Sequence, residues 1–541
     1  MAEMSKIKEK KKERKNRGAA VFHSARPQLK LLRLIGIMIL ILTLETSVLT
    51  GSAAETALAA ETSPDTGPVP GDGRPEYYLP LLEGKRIALF SNQSGIAGNK
   101  TETAGDQSMA GGSGAGTGGS QAEPDGENME RDDVYPAKDR IPFGKNADGS
   151  DVIYGEHILD VLLRQDINVT MVFSPEHGFR GTSDAGSQVG DSVDEKTGVP
   201  IHSLYGGGSM SPTDEELDRF DVLVVDIQDV GLRFYTYYIS MYYLMDACAA
   251  AGKEVVILDR PNPNGFYVDG PVLKDEFISG VGLLPIPVVH GMTLGELARM
   301  INGEGWLSAG KDACRLTVVP CDRYTHQTLA ELIRRPSPNL KDMRAVYLYA
   351  STCCFENTLF SVGRGTEYPF EAYGSPYAEE QYFQEDTSGP EDLSESEDSS
   401  EPEDLSEQEE PSEREDSLKS AGIPFSFVPV SMEGADSPPF EGQTCYGRDL
   451  RQIPLTQILS DHINLHYLLD AYNALRLSRP DLSFFGSPDK AGRYWIDYLF
   501  GTDEVRHMIE SGCSAEQISE SWQEDVERFR EQRKPYLLYE E

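Results

Sequence analysis

Residues 174–181, Ser-Pro-Glu-His-Gly-Phe-Arg-Gly, place a carboxylate, an imidazole and a guanidinium within five positions, directly after an apolar β-branched run. Pro175 lacks a backbone donor and keeps the residue before it extended, so a strand is predicted to end there. In open α/β sheets, ligands bind where strands end. Glu176, His177 and Arg180 are therefore candidate site residues. The alternative is a polar strand-to-helix loop in which Glu176 caps a helix.

The same design recurs along the chain, because five apolar segments each end in polar residues. The carboxyl ends of parallel strands meet at one sheet edge, so these side chains are predicted to converge on one cleft. Together with Tyr235 and Tyr237, the set is typical of a carbohydrate site, where acids and amides bind hydroxyls and rings pack on sugar faces. The residues at the ends are Asn92; Glu176 and His177; Asp226, Gln228 and Asp229; Asp259, Arg260 and Asn262; and His290.

Two chemistries suit these residues. Glycoside hydrolysis needs a carboxylic acid to protonate the leaving oxygen and usually a second carboxylate. Metal-assisted hydrolysis would use the acids and imidazoles as ligands, although no His-x-His or His-Glu-x-x-His spacing supports a metal site. A Ser-His-Asp triad is not supported, since no Gly-x-Ser-x-Gly is present. The candidate metal ligands are Glu176, His177, Asp226, Asp259 and His290.

The elements that must position these groups alternate between strands and helices. Strands are predicted at 85–92, 221–226 and 253–258, with a helix at 154–164. This alternation implies βαβ units and an α/β fold with a doubly wound, mostly parallel sheet. No Gly-x-Gly-x-x-Gly follows the first strand, so no dinucleotide is indicated and no cofactor is expected. Thr293 begins a capping box that predicts the start of a helix.

A further strand of the first domain is predicted at 285–291. A smaller α+β domain is predicted from about residue 300, with strands at 344–349 and 425–430 and a helix at 462–477. A helix capped by Ser514 is predicted to pack its apolar stripe into the core. That stripe consists of Ile518, Trp522, Val526 and Phe529.

The net charge of −40 is concentrated in one tract. Residues 379–416 hold eighteen Asp and Glu against one Arg, within a low-complexity insertion predicted at 379–420. A second low-complexity insertion is predicted at 98–150. Such acidity argues against a nucleic-acid partner, because the phosphates would be repelled. Seven cysteines in 541 residues do not form a disulfide framework.

The N-terminus has the opposite sign. A basic stretch precedes an apolar run at 34–44, which is too short to span a bilayer comfortably and suits a signal peptide. Residues 1–59 are therefore predicted to be a basic N-terminus with a signal peptide or anchor, followed by a linker at 60–79. Export is expected, with membrane contact only through this segment if it stays uncleaved.

The motifs together resemble the NamZ-type exo-β-N-acetylmuramidases, over roughly residues 80–97, 151–377 and 422–539. The resemblance implies a Rossmann-like catalytic domain at 80–300, a smaller α+β domain at 301–541, and a cleft between them. The motifs that carry it are 91–95 (Ser-Asn-Gln-Ser-Gly), 174–181, 226–231 (Asp-Ile-Gln-Asp-Val-Gly), 258–263 (Leu-Asp-Arg-Pro-Asn-Pro), 363–366 (Gly-Arg-Gly-Thr) and 533–539 (Arg-Lys-Pro-Tyr-Leu-Leu-Tyr).

The resemblance also implies removal of terminal N-acetylmuramic acid from the non-reducing end of peptidoglycan fragments, with muropeptides or disaccharides as substrates. Glu176 would be the general acid, His177 would shape its surroundings, and Glu356 would be a second carboxylate. After Glu356 the chain reads Asn-Thr-Leu where the family pattern reads Gly-Thr-Asn, so any contact from Leu359 is lost or moved. A non-catalytic muropeptide-binding protein and a metal-dependent hydrolase remain alternatives. The residues expected to hold the sugar are Asn92, Arg180, Asp226, Gln228, Asp229, Arg233, Tyr235, Asp259, Asn262, His290 and Arg364.

Overall fold

A computed structural model describes most of the chain beyond the N-terminal segment. The described residues all belong to one compact unit. The predicted signal segment, most of both predicted insertions, and His177 and Arg180 lie outside the described residues. No helix in the described part is long and apolar enough to cross a membrane. The described ranges are 67–97, 156–176, 178–179, 190–204, 210–332, 334–383 and 422–541.

Seven strands form the main sheet, in the order β5-β6-β4-β1-β7-β8-β9. The pairs that join β6, β4, β1, β7, β8 and β9 are parallel, whereas β5 is antiparallel to β6. A three-stranded antiparallel sheet, β10-β12-β11, and the β2-β3 pair complete the strands of the described residues. The strands are β1 Arg86–Ser91, β2 Ile96–Ala97, β3 Glu156–His157, β4 Asn168–Ser174, β5 Ser192–Val193, β6 Pro200–Ser203, β7 Val222–Asp226, β8 Glu254–Leu258, β9 Arg315–Val319, β10 Ala372–Ser375, β11 Ile423–Phe427 and β12 Cys445–Asp449.

Twelve α-helices accompany these strands in the described ranges. Their bounds are α1 Pro75–Leu82, α2 Ile158–Arg164, α3 Asp214–Leu217, α4 Tyr237–Ala251, α5 Leu294–Gly303, α6 Met343–Thr352, α7 Leu455–Asp461, α8 His466–Ser478, α9 Trp495–Phe500, α10 Glu504–Glu510, α11 Ala515–Glu520 and α12 Gln523–Arg533.

The main sheet is buried on both faces, as its unbroken apolar strands require. In β1, Ile87 and Leu89 pack into the core cluster that also contains residues of α1 and α2. The alternate residues Ala88 and Phe90 pack into the cluster that contains residues of α4 and α5. Helices therefore cover both faces, which confirms the predicted α/β fold with a mostly parallel sheet.

Two strand predictions are wrong. Residues 344–349 lie in helix α6, whose start is capped by Asp342 accepting from the backbone N–H of Ala345 at 2.9 Å. Residues 285–291 add no strand to the main sheet, and only Val289 makes isolated bridges. Two prolines in that segment remove backbone donors that a sheet ladder needs.

Other local predictions are confirmed. The capping box at Thr293 begins α5, and the predicted helix at 462–477 corresponds to α8. The helix predicted from Ser514 is instead two helices, α11 and α12, with Trp522 between them. All four residues of its predicted apolar stripe are buried. The seven cysteines are free thiols.

The C-terminal residues pack back against the main sheet. The backbone N–H of Leu538 donates to Glu296 at 2.7 Å, and the hydroxyl of Tyr539 donates to Asp259 at 2.6 Å. The sheet itself continues past residue 300 through β9, which pairs with β8. The two predicted domains thus share one compact unit, and their boundary at residue 300 stays a prediction.

Candidate active site

Four of the five predicted strand ends lie on adjacent strands of the main sheet. Asn92 follows β1, Glu176 lies two residues after β4, Asp226 ends β7 and Asp259 follows β8. These strands are neighbours in the order β4-β1-β7-β8. These four polar ends therefore lie at one edge of the sheet, but of the four only Glu176 is in the wall of the large cavity. His290 does not follow a strand of this sheet.

A cavity of about 880 Å³ contains two of the predicted catalytic side chains in its wall, Glu176 and Glu356. Glu356 follows a short 3₁₀ turn, Cys353–Phe355, at the end of α6. Rings occupy much of the remaining wall, which suits the apolar faces of a sugar. They belong to Phe234, Tyr235, Tyr237, Tyr349, Phe360, Phe370, Phe440 and Trp495.

Glu176 is half-buried and accepts a hydrogen bond from a neutral hydroxyl. The Oγ1 of Thr236 donates to its Oε2 at 2.8 Å. Thr236 is buried and also lines the cavity. The residue comes directly before α4, so the first turn of that helix fixes the donor beside the carboxyl group.

Glu356 has a different partner, the guanidinium of Arg364. Arg364 donates to the Oε1 of Glu356 through Nε at 2.9 Å and also through Nη2. Its guanidinium lies 4.9 Å from the ring centre of Phe370. Burial alone would lower the pKa of Arg364. The contacts with the Glu356 carboxylate outweigh this effect, so the pKa lies above its ordinary value. Arg364 is therefore a permanent cation, with Glu356 as its anionic partner.

The other predicted sugar-binding residues divide between the cavity wall and the layer behind it. Tyr235 is in the wall, and its buried hydroxyl has no hydrogen-bond partner among the described residues. Asn92 lies behind, where its Nδ2 donates to the hydroxyl of Tyr237 at 2.9 Å. That hydroxyl donates in turn to the carbonyl of Pro336 at 2.9 Å. Asn92 thus supports a wall residue from the end of β1.

Asp226 takes part in a buried ion-pair cluster. Arg260 donates through Nε to Asp226 at 2.7 Å and through Nη2 to Asp72 at 2.5 Å. Burial raises the pKa of Asp72 to about 8, against the opposing effect of Arg260. The cluster joins the segment before α1 to the ends of β7 and β8.

Gln228 and Asp229 lie beside this cluster and line a small void instead of the large cavity. Gln228 donates to the carbonyls of Asp229 and Pro261, both at 2.8 Å. One oxygen of Asp229 accepts from the backbone N–H of Gly231 at 2.7 Å, and the other is buried without a partner in the described structure. Burial raises the pKa of Asp229 to about 7.

Arg233 is fully buried outside the cavity wall. Its guanidinium donates to the carbonyls of Pro271 and Ile286 at 2.7 Å and of Leu499 at 2.8 Å. Burial lowers its pKa to about 10. These contacts join three distant segments of the chain.

Asp259, Asn262 and His290 also lie outside the cavity wall. Asp259 accepts from the Thr293 and Tyr539 hydroxyls, both at 2.6 Å. Asn262 donates to the carbonyl of Met292 at 2.9 Å. Burial lowers the pKa of His290 to about 3, so its ring is neutral.

Several wall residues escaped sequence analysis. Thr236 lies within an aromatic run directly before α4, and no pattern marks its hydroxyl as part of a site. The 434–440 segment, with Asp436 and Phe440, reaches the cavity from beyond the acidic tract. It is fixed there by Asn339, whose Nδ2 donates to the carbonyl of Gly434 at 2.7 Å. No local pattern marks that segment. In the described part of the chain, no group of three or more His, Cys, Asp and Glu side chains could hold a metal ion.

A mostly parallel α/β sheet with an aromatic cavity at its edge and two carboxyl groups in the cavity wall is an arrangement compatible with a glycosidase. Two family models cover most of the chain, the N-terminal part of exo-β-N-acetylmuramidase NamZ over residues 147–344 and the C-terminal part over 347–391 and 408–539. The chain belongs to this exo-β-N-acetylmuramidase family.

Individual relatives agree with the family match. A Bacillus subtilis (strain 168) protein named peptidoglycan β-N-acetylmuramidase NamZ is 35% identical over 390 residues, which cover 70% of this chain and 82% of the relative. Two crystal structures of DUF1343 family proteins from Bacteroides fragilis each cover 88% of this chain with a TM-score of 0.62. One is 40% identical and covered over 99% of its length, and the other is 25% identical and covered over 100%.

Proposed function

We propose that this chain hydrolyses the β-glycosidic bond of a terminal N-acetylmuramic acid at the non-reducing end of peptidoglycan fragments. The observation that carries the proposal is the pair of carboxyl groups in the wall of one aromatic cavity, Glu176, which accepts from the Thr236 hydroxyl, and Glu356, which accepts from the Arg364 guanidinium. Glycoside hydrolysis requires a proton donor and a second carboxylate with separate tasks.

Glu176 is the proton donor in this proposal. A protonated carboxyl group retains a carbonyl oxygen that can accept the Thr236 hydrogen bond, so this contact is compatible with the acid form. Glu356, as the anion beside Arg364, has the charge needed to stabilise positive charge at the anomeric carbon or to activate a water.

The ring-lined wall supports sugar binding. Arg364 uses Nε and Nη2 for Glu356, which leaves Nη1 as the nitrogen that would reach the lactyl carboxylate of N-acetylmuramic acid. The name of the Bacillus subtilis relative states action on peptidoglycan. Muropeptides and muramyl disaccharides are accordingly the proposed substrates, and cell-wall turnover is the proposed role.

Incubation of the purified chain with an N-acetylmuramyl–N-acetylglucosamine disaccharide tests the activity. Mass spectrometry should identify free N-acetylmuramic acid and N-acetylglucosamine. A disaccharide bearing N-acetylmuramic acid at the reducing end should stay intact. Cleavage of both disaccharides, or of neither, would contradict the proposal.

We also propose that the chain is exported through its apolar run at 34–44. The support is the basic-then-apolar pattern that signal peptides share. Leu40→Arg should retain the protein inside the cell, as measured by fractionation and immunoblotting. Equal distribution of the wild-type and variant proteins would contradict export by this segment.

A further inference from the structure

We propose that Thr236 is a positioning residue for the proton transfer, holding the carboxyl group of Glu176 so that its Oε1 presents the proton to the substrate. The inference rests on the proposed glycosidase function and extends it to a residue that no pattern in the sequence marked.

The first observation is how the hydroxyl of Thr236 is used. Thr236 occupies the N-cap position of α4, where a threonine side chain ordinarily accepts a hydrogen bond from the helix backbone. Here the side chain makes no capping bond, and its Oγ1 donates to the Oε2 of Glu176 at 2.8 Å. Thr293 at the start of α5 shows the ordinary use, since it accepts from the backbone N–H of Glu296 at 3.2 Å.

The second observation is that Thr236 itself is firmly held. Its carbonyl accepts from the backbone N–H groups of Ile239 at 3.0 Å and Ser240 at 3.2 Å. The next residue, Tyr237, is fixed on its other side by Asn92 and by the carbonyl of Pro336. A donor fixed in this way restricts rotation of the carboxyl group that it contacts.

The consequence concerns the two oxygens of Glu176. The carbonyl oxygen is the better acceptor of a carboxylic acid, so the donation from Thr236 to Oε2 favours the form of the acid with its proton on Oε1. That proton moves to the glycosidic oxygen as the bond from this oxygen to the anomeric carbon breaks, and the bonding electron pair stays on the leaving oxygen. A water adds its hydroxide to the anomeric carbon, and its remaining proton restores the starting protonation state of the site.

Substrates with different leaving groups separate positioning from structural support. A sugar leaving group needs protonation, whereas 4-nitrophenolate leaves with little help from an acid. The test compares the muramyl disaccharide with 4-nitrophenyl β-N-acetylmuramide for three variants. They are Thr236→Val, which keeps the shape and removes the hydroxyl; Thr236→Ser, which restores it; and Thr170→Val, a matched control on β4 outside the cavity wall.

Thr236→Val should lower kcat on the disaccharide by about 10- to 100-fold, with KM within about two-fold and at most a few-fold loss on the nitrophenyl substrate. Thr236→Ser should recover the disaccharide rate to within a few-fold, and Thr170→Val should match the wild type. Because both rates come from one preparation, partial unfolding cancels in their ratio.

Equal losses on the two substrates, or no loss on the disaccharide, would overturn the role of Thr236 while leaving the glycosidase function standing. A wild-type chain that cleaves neither substrate would overturn the function itself, and this inference with it.

Discussion

The parts of the cavity wall around Glu176 and around Glu356 are built in different ways. Glu176 comes from the end of a strand of the main sheet, and a neutral hydroxyl on the adjacent helix contacts it. Glu356 follows a 3₁₀ turn near residues that arrive from distant parts of the chain, and a guanidinium contacts it. The two carboxyl groups therefore accept hydrogen bonds from different donors, a hydroxyl at Glu176 and a guanidinium at Glu356.

The largest expected effect comes from removing the acid. Glu176→Gln should lower kcat on the muramyl disaccharide by about three orders of magnitude or more, because the amide cannot donate a comparable proton. The amide oxygen can still accept from Thr236, so thermal unfolding should stay within a few degrees of the wild type. Retention of more than a tenth of the activity would contradict the assignment.

The second-largest loss of activity should come from breaking the ion pair between Glu356 and Arg364. Arg364→Lys keeps a positive charge but loses the two-nitrogen contact with Glu356, so kcat/KM should fall by about 100-fold. Arg451→Lys is a matched control, because Arg451 likewise pairs with a carboxylate, that of Asp449, but lies outside the cavity wall. In a double-mutant cycle, Glu356→Gln and Arg364→Lys should be strongly non-additive. Full additivity would show that the pair does not act as a unit.

A third carboxyl group sharpens the contrast, because Asp229 has neither a hydroxyl nor a cation on its buried oxygen. Burial raises its pKa from 3.8 to about 7. The unfolded chain loses this proton near pH 4 and the folded chain only near pH 7, so stability is lost as the pH rises through that window.

Asp229→Asn should remove that dependence. Between pH 5 and pH 8 the free energy of unfolding of the wild type should fall relative to the variant by on the order of 1–3 kcal/mol. Denaturant unfolding of both proteins at the two pH values measures this change. Parallel pH profiles would contradict the raised pKa.

The smallest expected effect concerns the hydrogen bonds that hold Tyr237 in the cavity wall. Tyr237→Phe removes the contacts to Asn92 and to the carbonyl of Pro336, which should cost about 1 kcal/mol in the free energy of unfolding. Asn92→Ala breaks the same hydrogen bond and also removes the oxygen that accepts from Ser94, so it should still destabilise the Tyr237→Phe protein, but by about 1 kcal/mol less than it destabilises the wild type. Independent, additive losses in chemical denaturation would show that the two residues do not act together.

The position of Glu176 at the sheet edge could be predicted from the sequence, whereas most of the rest of the cavity wall could not. Apolar runs that stop at prolines and glycines predict strand ends. Parallel pairing of these strands then brings their ends to one edge of the sheet, and the residues there are Asn92, Glu176, Asp226 and Asp259. The 434–440 segment enters the cavity only through tertiary packing, which no periodicity encodes.

Residue type also fails to separate wall from interior. Arg233 and His290 have the chemistry of ligand-binding groups, yet the terminal nitrogens of Arg233 donate to backbone carbonyls in the interior, and His290 is buried and neutral. Distinguishing these fates requires the position of the partner backbone. Helix α6 could not be predicted for a related reason. All of its residues are buried, so its sequence shows no amphipathic stripe.

The most direct test of the separate roles of Glu176 and Glu356 is the ratio of kcat on 4-nitrophenyl β-N-acetylmuramide to kcat on the muramyl disaccharide. It is measured for the wild type, Glu176→Gln and Glu356→Gln. The account predicts that Glu176→Gln raises this ratio by about 100-fold or more, since only the disaccharide needs the proton, while Glu356→Gln lowers both rates and leaves the ratio within a few-fold of the wild type. A raised ratio for Glu356→Gln with an unchanged ratio for Glu176→Gln would contradict it.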